Sequence, residues 1–340
     1  MPVIGIDLGG TKLSSAIVDE AGEIISRSLS PIIKRKGHEA GRLVKDEAGK
    51  LMNEAKGAGI SISGIGISVP GIYNPSTGRV WAPNISGWDD YPLLDEAQAL
   101  FKDIRVVIDS DRTCYILGEA WKGAARGSSN AIYLSIGTGI GAGILCNGNI
   151  IQGQSGIAGA IGWMGLTDSY KQEYKNCGCF EYHASGSGMV RKYNDLITDL
   201  NKGGTGSNRT KKGAGNNINV SGAGSTRHEP GEGYRSVISS AVELFEALER
   251  DDQYAVEVVK EAIDMWGKAA ANLVSLFNPE IIVFGGGIFG PAAKFMPQIS
   301  NEAQKWAQPL SMAQVKLAIS LLGGDAGLYG AARLALMKTD

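Results

Sequence analysis

The sequence predicts an α/β fold of two lobes, and three observations support this prediction. Short apolar runs typical of strands alternate with helical patterns along the chain. A strand, a glycine turn and a second strand follow one another twice, about Gly9-Gly10-Thr11 and about Gly137-Thr138-Gly139. The 340 residues leave room for two domains of roughly 100–200 residues each. We therefore expect an N-terminal α/β lobe over residues 1–125 and a larger C-terminal α/β lobe over residues 126–325.

The N-terminal lobe is predicted from five strand-like runs and three helical patterns. The strands are expected at Val3–Leu8, Leu13–Val18, Glu23–Leu29, Ile62–Val69 and Val106–Ile108. The helices are expected at residues 39–56, 92–102 and 112–125. Asp111 directly precedes the third helix, where an acidic residue is a favourable N-cap. This order of elements predicts a mixed sheet.

The C-terminal lobe follows the same logic and contains one long irregular segment. Strands are expected at Ala131–Ile136, Ile140–Leu145 and Ile281–Phe284, and helices at Val237–Glu249 and Asp252–Leu276. The final helix, over about residues 326–340, is expected to pack back on the first lobe. Residues 201–233 contain nine Gly and five Asn, which predicts a solvated insertion, with a lid over an anionic ligand as the alternative.

Composition excludes several classes of protein. The 33 basic and 35 acidic residues give a net charge of -2, which argues against a nucleic-acid or anionic-membrane binder. Four Cys do not form a disulfide scaffold, so a reducing compartment is expected. The sequence contains no run of about 20 apolar residues, so no membrane span is predicted. The N-terminus has no signal-peptide pattern. We therefore expect a cytoplasmic protein.

The two glycine turns are candidate phosphate sites. Glycines let backbone N–H groups approach phosphate oxygens, and Thr11 adds a hydroxyl donor. Asp7, at the end of the first strand, is suited to a hydrated Mg²⁺. The first turn alone is also compatible with a bare hairpin, but two such turns could bind a polyphosphate from opposite sides.

Three further groups of residues suggest chemistry. Gly285–Gly290 matches the letters of a dinucleotide motif, yet it lacks the βαβ context, so a helix start against an adenosine is the other interpretation. Asp109-Ser110-Asp111 offers a carboxylate that could act as a general base for a sugar hydroxyl or as a helix cap. Cys177, Cys179 and His183 suggest zinc, but no fourth ligand is apparent.

These groups belong to a longer series of blocks that spans nearly the whole chain. The series comprises Asp7–Lys12, Val69-Pro70-Gly71, Ala82–Trp88, Asp111 with Gly118-Glu119, Gly137–Gly141, Glu181 with Ala184-Ser185-Gly186, Asn278-Pro279-Glu280, and Gly285-Gly286-Gly287. In order and spacing it resembles the ROK family of sugar kinases and repressors, within the superfamily of sugar kinases, actin and heat-shock ATPases. The resemblance implies two ribonuclease-H-like, actin-like ATPase lobes with ATP and sugar in the cleft between them.

The resemblance also implies roles for individual residues. Asp111 is expected to be the catalytic base. The nucleotide and its phosphates are expected at Asp7, Gly9, Gly10, Thr11, Lys12, Gly137, Thr138, Gly139, Gly285, Gly286 and Gly287. The sugar is expected at Gly71, Asn84, Ser110, Asp111, Trp163 and Glu181. Repressors of the family carry a helix-turn-helix before the first phosphate turn, whereas Asp7 is the seventh residue here, which favours a kinase.

Three departures from the family pattern affect the sugar and metal sites. The usual Asn-Asp is Ser110-Asp111, and the usual Glu-x-Gly-His is Ala160–Trp163, so polar sugar contacts are lost and an aromatic wall is gained. The usual zinc-binding cysteines are reduced to Lys175–Cys179, where only Cys179 falls on a ligand position. We therefore predict no zinc site. Arg112 follows the base and could recognise an anionic sugar or form a surface ion pair.

The function predicted from the sequence is an ATP-dependent carbohydrate kinase that uses ATP and Mg²⁺. The acceptor is expected to be a hexose or hexose derivative, shifted from that of a glucokinase by the altered pocket. A catalytically weak or inactive sugar-binding sensor on the same fold is the first alternative, and a nicotinamide enzyme built on Gly285–Gly290 is the second. We expect a homodimer or homotetramer with no nucleic-acid or membrane partner.

Overall fold

A computed structural model describes residues 1–32, 35–204 and 235–337, the side chains of 203 and 204 excepted. Its first half contains seven strands and three helices. In chain order these are β1 (Val3–Leu8), β2 (Lys12–Val18), β3 (Ile24–Pro31), α1 (Gly37–Gly57), β4 (Gly64–Val69), β5 (Ile72–Asn74), β6 (Arg79–Trp81), α2 (Leu93–Leu100), β7 (Arg105–Ser110) and α3 (Asp111–Lys122).

The second half adds five strands and eight helices within the described residues. In chain order these are β8 (Ala131–Ile136), β9 (Ile140–Cys146), β10 (Asn149–Ile150), α4 (Tyr174–Cys177), α5 (Cys179–Ala184), α6 (Gly186–Gly204), α7 (Ala241–Glu249), α8 (Gln253–Phe277), β11 (Ile281–Gly285), α9 (Met296–Trp306), α10 (Pro309–Met312), β12 (Lys316–Ile319) and α11 (Ala326–Leu336). Short 3₁₀ turns lie at Ile161–Trp163, Gly287–Phe289, Pro291–Phe295 and Gly323–Asp325.

The two halves repeat one sheet topology. The first sheet has the order β3-β2-β1-β4-β7 and the second has the order β10-β9-β8-β11-β12. In each sheet the first three strands are antiparallel and the last two join in parallel. Each sheet has its own apolar core, with α1 against the first and α8 against the second. The predicted α/β fold of two similar lobes is therefore confirmed.

Two helices join the halves at a close crossing. α11 packs on β1 and β4 of the first sheet, whereas α3 packs on β8 and β9 of the second, and the two helices contact each other along their length. Glycines allow this approach, because a Cβ atom at Gly330 would lie 1.7 Å from the carbonyl oxygen of Cys114. The start of α3, where Asp111 lies, is thereby placed between the two sheets.

Most predicted strands and helices are confirmed to within a few residues, and the differences have local causes. The helix expected from Val237 begins at Ala241, because Ser240 is its N-cap and accepts a hydrogen bond from Glu243 N. Asp111 is the first residue of α3 and not its cap, because Ser110 Oγ fills that role for Thr113 N. Of the predicted insertion at 201–233, only residues 201–204 are described, at the end of α6; the rest lies outside the described residues.

No helix in the described part of the chain is long and apolar enough to cross a membrane.

Candidate active site

Asp7 lies near the carboxyl end of β1 and faces the start of α11. Ser68 Oγ, on the neighbouring strand β4, donates a hydrogen bond of 2.7 Å to Asp7 Oδ1. A Cβ atom at Gly327 would lie 2.5 Å from the Asp7 carboxyl group, so only glycine lets α11 pack this close. Burial raises the pKa of Asp7 to about 6, while the hydrogen bond from Ser68 opposes the rise. Asp7 is thus a partly desolvated carboxylate with a single hydrogen-bond donor among the described side chains.

The first glycine turn follows Asp7 directly and is open to solvent. Gly9 N donates to the carbonyl oxygen of Lys12 at 2.9 Å, which closes the turn between β1 and β2. Gly10, Thr11 and Lys12 are exposed, and no described atom lies within 4 Å of the Cβ position of Gly10. The charge of Lys12 lowers the pKa of Asp7. This turn therefore presents exposed backbone and one cation beside a carboxylate.

Asp111 begins α3 with its carboxyl group fixed at both oxygens. Arg112 N donates to Oδ1 at 2.8 Å, and the Tyr115 hydroxyl lies 3.5 Å from Oδ2. Burial raises the pKa of Asp111 to about 6, and the charge of Arg112 lowers it. Ser110 is buried, and its hydroxyl contacts Thr113 as the helix cap. Tyr115 was missed by the sequence reasoning, although its position four residues after Asp111 places it on the same helix face.

Asp109 connects the two halves of the molecule. Its Oδ1 accepts a hydrogen bond of 2.7 Å from Ser110 N, and its Oδ2 accepts one of 2.7 Å from Gln152 Nε2. Gln152 belongs to the segment that follows β10, so this bond joins β7 of the first sheet to a loop of the second half. Nothing local in the sequence marks Gln152, because it lies in a segment with no periodic pattern.

The second and third glycine segments lie side by side. β8 and β11 are parallel neighbours, so the turns at their carboxyl ends meet, and a Cβ atom at Gly286 would lie 2.4 Å from the carbonyl oxygen of Ile136. The turns open on a cavity of about 750 Å³. Its lining includes Gly137, Thr138, Gly186, Ser187, Arg191, Asn194, Ser240 and Gly287. The structure thus brings together the predicted nucleotide residues of the second half.

Glu181 lies against the second glycine turn. Its Oε2 accepts a hydrogen bond of 2.6 Å from Ile140 N. A Cβ atom at Gly139 would lie 2.7 Å from Oε2, and one at Gly162 would lie 3.0 Å from the Cβ of Glu181. Burial raises the pKa of Glu181, while the bond from Ile140 N lowers it. The glycines at 139 and 162 therefore create the space that this carboxylate occupies.

The remaining predicted sugar residues are Gly71, Asn84 and Trp163. Gly71 has a φ of 121°, and a Cβ atom there would lie 2.2 Å from the carbonyl oxygen of Trp81. Asn84 is exposed in the loop after β6. Trp163 is 58% exposed and lines a different cavity of about 260 Å³, together with Tyr170 and other residues. The three positions stay predictions as sugar contacts.

A hydrogen-bonded chain ties α5 to α8 in the region where the sequence suggested zinc. His183 Nδ1 lies 2.8 Å from Glu261 Oε1, and His183 Nε2 lies 2.7 Å from the Tyr174 hydroxyl. Thr167 Oγ1 lies 3.5 Å from the Tyr174 hydroxyl and 3.4 Å from Cys179 Sγ, and so extends the chain. Glu261 also contacts Lys192. His183 therefore anchors α5, the helix that includes Glu181, to the long helix α8.

The cysteines of this region are free thiols. Among the residues that the structure describes, no group of three or more His, Cys, Asp or Glu could bind a metal ion. Since His183 is engaged with Tyr174 and Glu261, it does not complete a site with Cys177 and Cys179. The absence of a zinc site stays a prediction, which elemental analysis tests.

Comparison with known proteins adds the family. The family model described as "ROK family" matches residues 3–338. A glucokinase of Halalkalibacterium halodurans is 30% identical over 96% of this chain and 92% of its own length. A xylose repressor of Caldicellulosiruptor bescii is 28% identical over 83% of this chain and 65% of its own length.

A solved structure of similar fold also comes from this family. The crystal structure of a ROK family glucokinase from Streptomyces griseus, in complex with glucose and AMPPNP, superposes with a TM-score of 0.69 at 24% identity, covering 99% of both chains. With the duplicated sheets and the family match over nearly the whole length, the assignment is settled: this chain belongs to the ROK family, on the fold of the actin-like ATPases.

Proposed function

We propose that the protein transfers the γ-phosphate of ATP to a hydroxyl group of a hexose or hexose derivative. The observation that supports this most is the position of Asp111: its carboxylate is oriented at both oxygens and lies close enough to Asp7 for its charge to raise the pKa of Asp7. The glucokinase relative and the glucokinase structure with glucose and AMPPNP support the same activity. The identity of the sugar is left open by both.

The nucleotide is expected in the cavity of about 750 Å³ in the second half. Thr138 and Gly287 line this cavity, and their backbone N–H groups would suit the phosphates, because amides oriented by tight turns form anion sites. The turn about Gly10 would contact the terminal phosphates from the side of Asp7. Two turns that bind opposite sides of a polyphosphate leave its outermost group free to face Asp111.

The residues near Asp7 fit a hydrated Mg²⁺. The Asp7 carboxylate is desolvated and has one hydrogen bond from Ser68, so it lacks full compensation for its charge. Mg²⁺ usually keeps several waters and is bound by one or two carboxylates together with substrate phosphates, and no cage of protein ligands is needed. When bound, the ion would neutralise negative charge on the phosphates.

Asp111 acts as the general base in this proposal. It accepts the proton of the attacking hydroxyl group as the new O–P bond forms, and the bond between the γ-phosphorus and the bridging oxygen breaks, so that ADP leaves with that electron pair. Arg112 N and the Tyr115 hydroxyl orient the carboxylate. Positioning and electrostatic stabilisation supply most of the rate enhancement in this class of reaction.

A coupled assay of ADP release over a broad panel of sugars and sugar acids tests the proposed activity. Release that depends on an acceptor supports the kinase. No acceptor-dependent release across the panel, from a protein that still binds ATP, rejects it.

A sugar-binding regulator without catalysis is the second candidate, and the similarity to a xylose repressor favours it. Sugar binding measured by calorimetry without any ADP release would support this alternative. We also expect a homodimer or homotetramer, which size-exclusion chromatography with light scattering can test.

A further inference from the structure

Arg112 is the cation closest in sequence to the proposed base, and its guanidinium group has no hydrogen-bond or ion-pair partner among the residues that the structure describes. In the described ranges, no hydrogen bond or ion pair involves its side chain. Its stem is fixed by packing, since a Cβ atom at Gly141 would lie 2.7 Å from Arg112 Cδ. The residue is only partly exposed. A guanidinium group in such a position is normally paired with a carboxylate or phosphate, so a missing partner points to a ligand.

The neighbouring acids do not satisfy this guanidinium group. Asp111 accepts hydrogen bonds from Arg112 N and Tyr115, and Asp109 accepts them from Ser110 N and Gln152. The charge of Arg112 lowers the pKa of both carboxyl groups, yet neither forms a salt bridge with it.

The backbone beside the Arg112 stem supplies no acid. The stem lies against Gly141, and Gly159 lies next to Gly141, where its carbonyl oxygen accepts a hydrogen bond from Ala142 N at 2.8 Å. Ala160 follows and offers no charged group. These neighbours therefore provide no carboxylate that could pair with the guanidinium group.

We propose that Arg112 binds an anionic group of the acceptor, and that the preferred acceptors are acidic monosaccharides. The acidic group is a carboxylate or a phosphate ester, both of which match the fork of a guanidinium group. The assignment rests on the proposed kinase function. The acceptor is favoured over ATP as the partner because Arg112 adjoins Asp111, which must contact the acceptor hydroxyl, whereas the glycine turns provide separate sites for the nucleotide.

The test compares kcat/KM for neutral and acidic acceptors. The neutral probes are glucose, fructose and N-acetylglucosamine; the carboxylates are gluconate and glucuronate; the phosphate ester is glucosamine 6-phosphate. We expect the wild type to prefer at least one acid over every neutral sugar by about 10-fold or more, and the carboxylate and phosphate arms to identify the source of the charge.

Arg112→Met should lower the ratio of acid to neutral kcat/KM by about 10-fold to 100-fold, the size expected when a hydrogen bond to a charged group is lost. Arg112→Lys should lower it less, because a lysine keeps the charge and loses the fork. Arg42→Met, at an exposed arginine on α1, is the matched control and should leave the ratio unchanged. Circular dichroism and the melting temperature verify that each variant is folded.

Three outcomes would overturn the inference. Phosphorylation of neutral sugars and of no acid by the wild type would leave the kinase function standing and show that the acidic acceptor is wrong. An equal loss of kcat/KM for all acceptors in Arg112→Met, with a raised KM for ATP, would assign Arg112 to the nucleotide. Phosphorylation of no acceptor at all rejects the kinase function and the inference with it.

Discussion

The carboxyl groups of Asp7 and Asp111 lie close enough for the negative charge of Asp111 to raise the pKa of Asp7. Asp7 comes from β1 of the first sheet and Asp111 from the start of α3, which packs on the second. Burial is the larger cause of both raised pKa values. Two desolvated carboxylates at the meeting point of two sheets are an arrangement that costs stability and is typical of a functional site.

The first prediction concerns the pH dependence of the activity. Asp111 can accept a proton only when it is ionised, and burial raises its pKa to about 6. We expect kcat/KM to be constant near pH 8 and to fall about 10-fold for each pH unit below the pKa. Initial rates from pH 5 to pH 9 measure this. A profile that stays flat down to pH 5 would remove Asp111 as a base with this pKa.

The second prediction concerns stability. Asp7 has a folded-state pKa above its unfolded value, so the native state binds more protons than the unfolded state between about pH 4 and pH 6. Above that range, ionised Asp7 lowers the free energy of unfolding by its full amount. Asp7→Asn removes the penalty and should raise the free energy of unfolding at pH 7.5 by about 1–2 kcal/mol. Urea unfolding at pH 7.5 and pH 4 is the measurement. The gain should shrink at pH 4; an equal gain at both values contradicts the stated cause.

The third prediction concerns the crossing of α3 and α11. Gly330→Ala places a methyl group 1.7 Å from the carbonyl oxygen of Cys114, so one helix must shift. We expect a loss of about 2 kcal/mol or more, as for overpacked cores, and a lower melting temperature. Gly49→Ala on α1 is the control, because no described atom lies within 4 Å of its Cβ position, and it should be neutral or stabilising by a few tenths of a kcal/mol. Equal effects of the two variants would contradict the close crossing.

The fourth prediction concerns the chain from His183 to Glu261. The hydrogen bond from His183 is the largest cause that lowers the pKa of Glu261 to about 2. Ionised Glu261 therefore adds to the free energy of unfolding above its unfolded pKa, and this stabilisation is lost as the pH falls through about 2. Glu261→Gln weakens the anchor of α5, and because Glu181 lies on α5 we expect a several-fold rise in the acceptor KM with little change in the KM for ATP. Glu257→Gln, one turn away and 57% exposed, is the control.

The hydrogen-bonded chain of His183, Tyr174 and Glu261 also leads to a prediction of the zinc content of the protein. With His183 bound to Tyr174 and Glu261, the purified protein should contain no stoichiometric zinc by elemental analysis. One zinc per chain would show that the hydrogen-bonded chain is not what organises this region.

Local patterns were sufficient to predict most of the strands of the two sheets, several of the longer helices and the glycine turns. They did not predict β5, β6, β10, β12, α6 and α9. The turn at Gly9-Gly10 and the turn at Gly137–Gly139 each interrupt an apolar run, so they could be located without any tertiary information. The repeat of this unit also anticipated the two similar sheets.

The site contacts that the sequence did not predict are contacts between residues far apart in the chain. Gln152 contacts Asp109 across 43 positions, and His183 contacts Glu261 across 78, and neither pair has a local signature. The sequence predicted an acidic cap at Asp111; only the backbone geometry assigns the cap to Ser110 and leaves the Asp111 carboxylate available for chemistry. The partners of His183 likewise have no local signature, because Tyr174 and Glu261 lie on other helices.

The most direct test of the proposed mechanism is to measure both the turnover and the ATP affinity of Asp111→Asn and to compare them with those of the wild type. The variant keeps the shape of the side chain and removes the base, so acceptor-dependent ADP release should fall by about 100-fold to 10,000-fold while ATP binding by calorimetry changes little. Turnover within a few-fold of the wild type would show that proton transfer to Asp111 is not part of the reaction and would contradict the proposed mechanism.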